Sequence, residues 1–239
     1  MGGAIMSVYV DLFQESFGTS LLADAAFRAG IKVGLPSSGL RPLDIRTKLA
    51  GPVITVEANN DLVSILEGVH LSEPNDVVVI ANRTPDVGLM GDLIGTEAVR
   101  RGLAGFVVDG LVRDTIELVD LGVVVLCRGS FPVGPLKVPV AAKGIGIVGA
   151  SVSIAGATVA PGMWVFGDAD GLIILEADDL EVVFERAEIA ARQEAALADE
   201  IASGTALGDA FELDSFLTKR RKDPDADFNT HLAAINRAI

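Results

Sequence analysis

Three apolar runs, Val77 to Asn82, Gly105 to Asp109 and Val123 to Gly129, follow one another within a short stretch of the chain. Each is rich in β-branched residues and none alternates with polar ones, the pattern of strands covered on both faces. Between the first two lies a helical segment from Thr96 to Arg101 that stops at Gly102, and between the last two a short one from Thr115 to Leu121. Strand, helix, strand in this order is a βαβ unit, with parallel strands and a right-handed crossover. The loops leaving the first and second strands then open at the same edge of the sheet, where ligands of open α/β sheets bind. That places Asp92 beside the pair Arg113-Asp114, although 20 residues separate Asp92 from Arg113.

The flanking sequence extends this α/β reading. Leu49 to Ala58 (LAGPVITVEA) alternates like a strand. Asp61 to His70 has Leu62, Ile65, Leu66 and Val69 on one helical face, and Ser20 to Ala29 is a helix ending at Gly30. Gly34 to Pro42 is a loop, and Pro132 to Val159 reads as two or three short strands with tight turns. Met163 to Leu175 is a hairpin around Gly167 to Gly171, in which Asp168 and Asp170 resemble half of a calcium loop. The closing glutamate is missing, so a solvated turn is expected. Asp178 is a candidate cap for a long amphipathic helix running to Ser203 and stopped at Gly204. The boundaries expected are a domain over 1–204 and a tail over 205–239. The tail is apolar enough to need cover from a neighbouring subunit, and its basic run, Lys219 to Lys222, reads as a solvated face or a subunit contact.

Composition narrows the function. Half of the residues are hydrophobic and 22% charged, as in a globular protein. The formal net charge of −14 argues against nucleic acid and anionic membranes as partners. No apolar stretch reaches the roughly 18 residues of a membrane span, and the N-terminus lacks the basic start of a signal peptide. A soluble cytoplasmic protein is expected. The lone cysteine, Cys127, sits in an apolar strand and reads as inert; His70 reads as a last-turn helix residue more than a catalyst.

The chemistry is concentrated between Gly91 and Asp114. After a turn at Gly91, the amides of Leu93, Ile94 and Gly95 precede a helix and can bind a carboxylate. Arg113 can clamp an anion with two parallel hydrogen bonds, while Asp92 and Asp114 are hard oxygen ligands suited to one Mg²⁺ or Mn²⁺. Such a set fits a 2-oxo acid such as pyruvate, with the metal and Arg113 stabilising an enolate. A plainer reading stands level with it: Arg113-Asp114 as a surface ion pair, and Asp92 as a helix cap. The segments GPL (Gly134 to Leu136) and GIGIVG carry a weak phosphate-loop signal.

The sequence resembles the RraA-like family, which includes the 4-hydroxy-4-methyl-2-oxoglutarate/4-carboxy-4-hydroxy-2-oxoadipate aldolases, oxaloacetate decarboxylases and the regulator of ribonuclease activity A. The matching residues are LRPL at Leu40 to Leu43, LAGPVITV at Leu49 to Val56, Asp92-x20-Arg113-Asp114, RGSFPVGP at Arg128 to Pro135, and PGMWVFGDADGLIIL. They cover roughly residues 19 to 200. The resemblance implies an αββαβ sandwich, similar to the swivelling phosphohistidine domain, with a C-terminal helix and tail, assembled as trimers or hexamers with sites between subunits. It implies that Asp114 ligates the metal, that Asp92 holds a metal water, that Arg113 stabilises the enolate and that the amides of Gly91, Asp92, Leu93 and Ile94 bind the substrate carboxylate. The family's acidic residue soon after the C-terminal helix is absent here, where Gly204-Thr205-Ala206 stands and no carboxylate precedes Asp209. Asp209, Lys219, Arg220 and His231 are candidates for a different substrate shell. The leading expectation is a metal-dependent carbon–carbon lyase of a small 2-oxo acid; the alternative is a non-catalytic regulator that binds a ribonuclease. A methyltransferase is disfavoured, since no acidic ribose ligand follows the glycine-rich loop at the next strand end.

Overall fold

In the computed structural model, which describes residues 2–37, 39–82, 87–137, 144–235 and 237, a mixed sheet is wrapped by helices. The strands are β1 (Arg41–Pro42), β2 (Leu49–Glu57), β3 (Val77–Ala81), β4 (Gly105–Val112), β5 (Val125–Ser130), β6 (Ile147–Val148), β7 (Val152–Ile154), β8 (Ala157–Val159), β9 (Met163–Gly167) and β10 (Leu172–Glu176). The helices are α1 (Gly2–Glu15), α2 (Thr19–Arg28), α3 (Leu62–Leu71), α4 (Asp92–Arg101), α5 (Thr115–Asp120), α6 (Leu180–Ala202), α7 (Leu207–Ala210), α8 (Leu213–Lys222) and α9 (Phe228–Ala234). The main sheet runs β1-β5-β4-β3-β2-β9-β10, with β6 on the second half of β2, and β7-β8 form a separate hairpin.

β2, β3, β4 and β5 are parallel neighbours, as the crossovers require. All five residues of β3 are buried, because both faces of the sheet are covered. Val78 and Ile80 point into one core with Phe106 and Val108, beneath α3, α4 and α5; Val77 and Val79 point into the opposite core with Leu126, beneath β7-β8. Helix α3 can lie against β2 because Gly68 has no side chain: a Cβ there would stand 2.4 Å from Val56 Cγ2. Asp61 starts α3 by accepting from the amides of Val63 and Ser64. At its other end Arg101 of α4 donates to the carbonyls of His70 and Ser72, which ties the two helices together.

A third core joins β9 and β10 to α1, α2 and α6 through Phe13, Trp164, Phe166 and Phe184. Here the turn over Gly167 to Gly171 is solvated at Ala169 and Asp170, as expected, but not at Asp168. Asp168 is buried, and its carboxylate accepts from Thr19 N–H at 2.8 Å, from Thr19 Oγ1 at 2.7 Å and from Asp170 N–H at 2.9 Å. It caps α2 from 149 residues away, a role that sequence proximity cannot reveal. Asp178 is likewise not the cap expected of it: it lies in a 3-10 turn, Ala177–Asp179, and α6 begins at Leu180.

The tail folds back on its own chain. Phe211, Phe216 and Leu232 are buried, with Leu197 of α6 in the same cluster as Phe211 and Leu232. His231 Nε2 meets Phe211 O at 2.8 Å, and Arg237 pairs with Glu200 of α6 at 2.6 Å. Part of the tail's apolar surface is thus covered within the chain, while Leu207 and Leu213 remain 51% and 38% exposed. No helix among the described residues is long and apolar enough to cross a membrane.

Candidate active site

β3 and β4 pair in parallel from Val77↔Gly105 to Ala81↔Asp109, and α4 is the crossover between them. The helix starts at Asp92, four residues earlier than the expected Thr96. Gly95, expected to precede the helix, lies within it and serves close packing: a Cβ there would stand 2.6 Å from Leu118 of α5. Asp92 in the first turn also favours the helix through its dipole. Two of the three amides expected to be free, those of Leu93 and Gly95, are therefore engaged, Gly95 N–H donating to Gly91 O at 3.0 Å. Leu93 N–H donates to Asp92 Oδ1 at 2.7 Å, and Asp92 Oδ2 makes no hydrogen bond among the described residues.

At the end of β4 the chain turns through Asp114, which adopts a left-handed conformation (φ 52°) that Asp tolerates better than most residues. Its Oδ2 lies 3.2 Å from Arg113 Nε and 3.4 Å from Asp92 N. The two loops thus meet as the topology demands, and the expected Arg113–Asp114 ion pair is present in a half-exposed setting. Arg113 N–H donates to Met90 O at 2.9 Å, which locks the two loops together through the backbone.

Three glycines make this approach possible. A Cβ on Gly91 would stand 2.1 Å from Asp114 Oδ2, one on Gly88 3.0 Å from Arg113 Cβ, and one on Gly134 3.0 Å from Arg113 Nη1. Gly134 belongs to the segment Arg128 to Pro135, which folds over Arg113 through Phe131 N–H to Val112 O and Gly88 N–H to Val133 O, both 2.8 Å. Its end, Pro135–Lys137, is a 3-10 turn. The GPL signal thus belongs to a wall of this site, while β6 takes up Ile147–Val148 of GIGIVG on the edge of β2.

Together these pieces enclose a cleft of about 340 Å³. It is lined by residues 88–94, by Arg113, by Gly134 to Lys137, and by Leu62 and Leu66 of α3. Sequence reasoning missed Lys137 and the α3 leucines; the only signal was that Lys137 follows a glycine-proline turn soon after a strand end. Asp209, Lys219, Arg220 and His231 do not line the cleft of their own chain. His70 is exposed at the far end of α3. Cys127 is buried in β5, where burial pushes its thiol above the usual range.

No group of three or more His, Cys, Asp or Glu side chains that could hold a metal forms among the described residues. The donors present are the two carboxylates Asp92 and Asp114. Two hard oxygen donors, Asp92 lining the cleft and Asp114 beside it, suit Mg²⁺ or Mn²⁺, which bind through one or two carboxylates and keep several waters, and do not suit a metal needing a full protein cage.

Comparison with known proteins identifies the family of this fold. A protein of Halalkalibacterium halodurans named "Putative 4-hydroxy-4-methyl-2-oxoglutarate aldolase" is 32% identical over 154 residues, covering 64% of this chain and 71% of its own. Among solved structures, an uncharacterized protein from Pseudomonas syringae pv. tomato superposes with a TM-score of 0.70 at 23% identity, over 85% of this chain and 96% of its own. Streptomyces coelicolor RraAS2, described as an unusual member of the RNase ES inhibitor RraA protein family, does so with 0.63 at 23% identity, over 79% and 92%. The family described as RraA-like, Aldolase/RraA, matches residues 19–174, and this chain belongs to it.

Proposed function

We propose that this protein is a divalent-metal-dependent carbon–carbon lyase acting on a small 2-oxo acid, as a 4-hydroxy-2-oxo acid aldolase, an oxaloacetate decarboxylase or both. The observation that carries this reading is the meeting of Arg113 with the first turn of α4 in one cleft, with Asp114 paired to Arg113 beside it. The aldolase name of the Halalkalibacterium halodurans relative supports it.

The substrate carboxylate is bound at the α4 N-terminus, where the main chain of Gly91 to Ile94 lines the cleft and the helix dipole favours an anion. The 2-keto oxygen then lies on the Arg113 side. Held by Asp114, with Asp92 retaining one of its waters, Mg²⁺ or Mn²⁺ would supply Lewis-acid polarisation of that oxygen. In the aldolase direction the 4-hydroxyl loses its proton, a carbonyl forms at C4, and the C3–C4 electron pair passes into a pyruvate enolate. Arg113 stabilises the enolate charge, which exists only after bond cleavage and so lowers the barrier without tightening ground-state binding. Asp92 orients the water that delivers a proton to C3. Decarboxylation of oxaloacetate passes through the same enolate with CO₂ as the other product.

A homo-oligomer, trimer or hexamer, belongs to the same proposal. Ile45, Ile116 and Ile145 are large apolar side chains more than 70% exposed, which a second copy would cover. The test is pyruvate release from oxaloacetate and from 4-hydroxy-2-oxo acids with Mg²⁺, with and without chelator. Chelation abolishes the activity, and Arg113→Ala and Asp114→Ala each lower kcat/KM at least 100-fold while the circular dichroism spectrum is kept. Unchanged rates in both variants overturn the proposal; capture of a ribonuclease at micromolar concentration by an inactive protein would replace it with the regulator reading.

A further inference from the structure

The cleft sorts its charges and its apolar surface unequally. Three charged side chains line it: Asp92, Arg113 and Lys137. Asp92 and Arg113 are assigned to the 2-oxo acid core in the reading above, which leaves only Lys137 for the remainder of a substrate. Besides the fully buried Leu89, four leucines line the same space: Leu62 and Leu66 from α3, Leu93 from the first turn of α4, and Leu136 from the turn beside Arg113. Leu66, Leu93 and Leu136 remain 49%, 77% and 74% exposed, so the protein itself does not bury them.

Resting on the lyase reading, we infer that the group carried at C4 of the substrate is apolar, an alkyl or aryl substituent, and not a second carboxylate. A 4-hydroxy-2-oxo acid of this class is cleaved between C3 and C4. The hydroxyl oxygen becomes the carbonyl of an apolar aldehyde or ketone, its proton passes to solvent water, and the C3–C4 electron pair takes up a proton at C3 from the water oriented by Asp92 to give pyruvate. No oxidant or further reactant is required. Each methylene brought against the leucines from water improves binding roughly fourfold. A carboxylate in the same position gives up hydration against apolar side chains, and the single Lys137 ammonium, itself exposed, returns little of that.

Two measurements on the full-length protein with Mg²⁺ test this. In the first, 4-hydroxy-2-oxo acids bearing methyl, propyl or carboxylate at C4 are compared by pyruvate release. The expected kcat/KM rises at least tenfold from methyl to propyl and falls below methyl for the carboxylate, and Leu136→Lys reverses the order of propyl and carboxylate. Faster turnover of the carboxylate substrate, with the preference lost in Lys137→Met, overturns the inference. The second is independent of turnover: calorimetric binding of 2-oxohexanoate and 2-oxoglutarate. Tighter binding of 2-oxohexanoate by tenfold or more supports an apolar C4 group, and equal or weaker binding overturns it. Absence of pyruvate release from all three acids sinks the lyase reading alone, because the calorimetric comparison still decides the chemistry of the pocket.

Discussion

Replacing Gly91 by Ala adds one methyl group where the structure has no room for it. The new Cβ would stand 2.1 Å from Asp114 Oδ2, 3.1 Å from Asp114 Cγ and 3.0 Å from Arg113 Cγ. Gly91 has φ −153° and ψ −157°, extended backbone that Ala adopts freely, so the cost is steric and falls on Asp114 and Arg113. Those side chains are 33% and 42% exposed, so the carboxylate can swing outward. To reach ordinary contact it must move by more than 1 Å, and a displacement of that size at a reacting centre costs about 100-fold in rate. The fold loses about 1–2 kcal/mol, part from the poorer N-cap and part from residual crowding. The assay is kcat/KM for pyruvate release, together with urea unfolding of Gly91→Ala, Asp114→Ala and the double variant. Truncating Asp114 removes the closest part of the clash, so the two stability losses are non-additive by about 0.5–3 kcal/mol. Additive losses, or a Gly91→Ala enzyme with wild-type kcat/KM, refute the reasoning.

Three further outcomes follow from other parts of the molecule. Asp168→Ala removes a buried acceptor of three hydrogen bonds that caps α2, and a loss of about 1–3 kcal/mol is expected by urea unfolding; less than 0.5 kcal/mol would show that the cap is dispensable. Cys127, buried and with its thiol pKa raised, is expected to react with a thiol reagent at pH 8 at least about 100-fold more slowly in the native protein than in urea; equal rates would mean that β5 opens readily. Asp227 accepts from Thr230 N–H and Oγ1 at the start of α9, and these bonds hold its carboxyl below the usual range. A depressed folded-state pKa contributes stability that is present above the ordinary value near 3.8 and is lost as pH falls through the folded value. Hydrogen exchange of the α9 amides should therefore accelerate below pH 4 more than that of β3, and parallel behaviour of the two would refute it.

The parallel core was legible because burial on both faces leaves an unbroken apolar run, and Val77 to Ala81 carries that signature in its own residues. Asp92, Arg113 and Asp114 could be brought together for the same reason: parallel strands joined by a helix leave little freedom in where their ends emerge. What stayed hidden depends on partners distant in the chain. Asp168 looks like any turn aspartate until Thr19 is brought to it, and Gly95 reads as preceding the helix until Leu118 occupies the space of its missing side chain. The same holds for the cleft wall. Leu62 and Leu66 read as one apolar helix face, yet Leu66 is half-exposed and lines the site while Ile65 and Val69 are buried. Helical periodicity identifies an apolar face but not which part of it a neighbouring loop leaves open.

The left-handed turn at Asp114 allows its charge and its conformation to be separated. For an L-residue this region costs about 1–2 kcal/mol, least for Asn and Asp, whose short polar side chains bond locally. The conformation persists because both sides are anchored: Arg113 N–H donates to Met90 O, and Asp114 O accepts from Leu118 N–H to open α5. Asp114→Asn keeps the turn and the side-chain shape while removing the charge, whereas Asp114→Val keeps neither, its β-branched side chain being excluded from this region. If the carboxylate serves to hold a divalent ion and to orient Arg113, the Asn variant unfolds within about 0.5 kcal/mol of wild type but loses pyruvate release and calorimetric Mg²⁺ binding together. The Val variant loses those and in addition about 2–3 kcal/mol of stability. An Asn variant that retains Mg²⁺ binding and turnover would show that Asp114 matters only as a turn residue beside an ordinary ion pair.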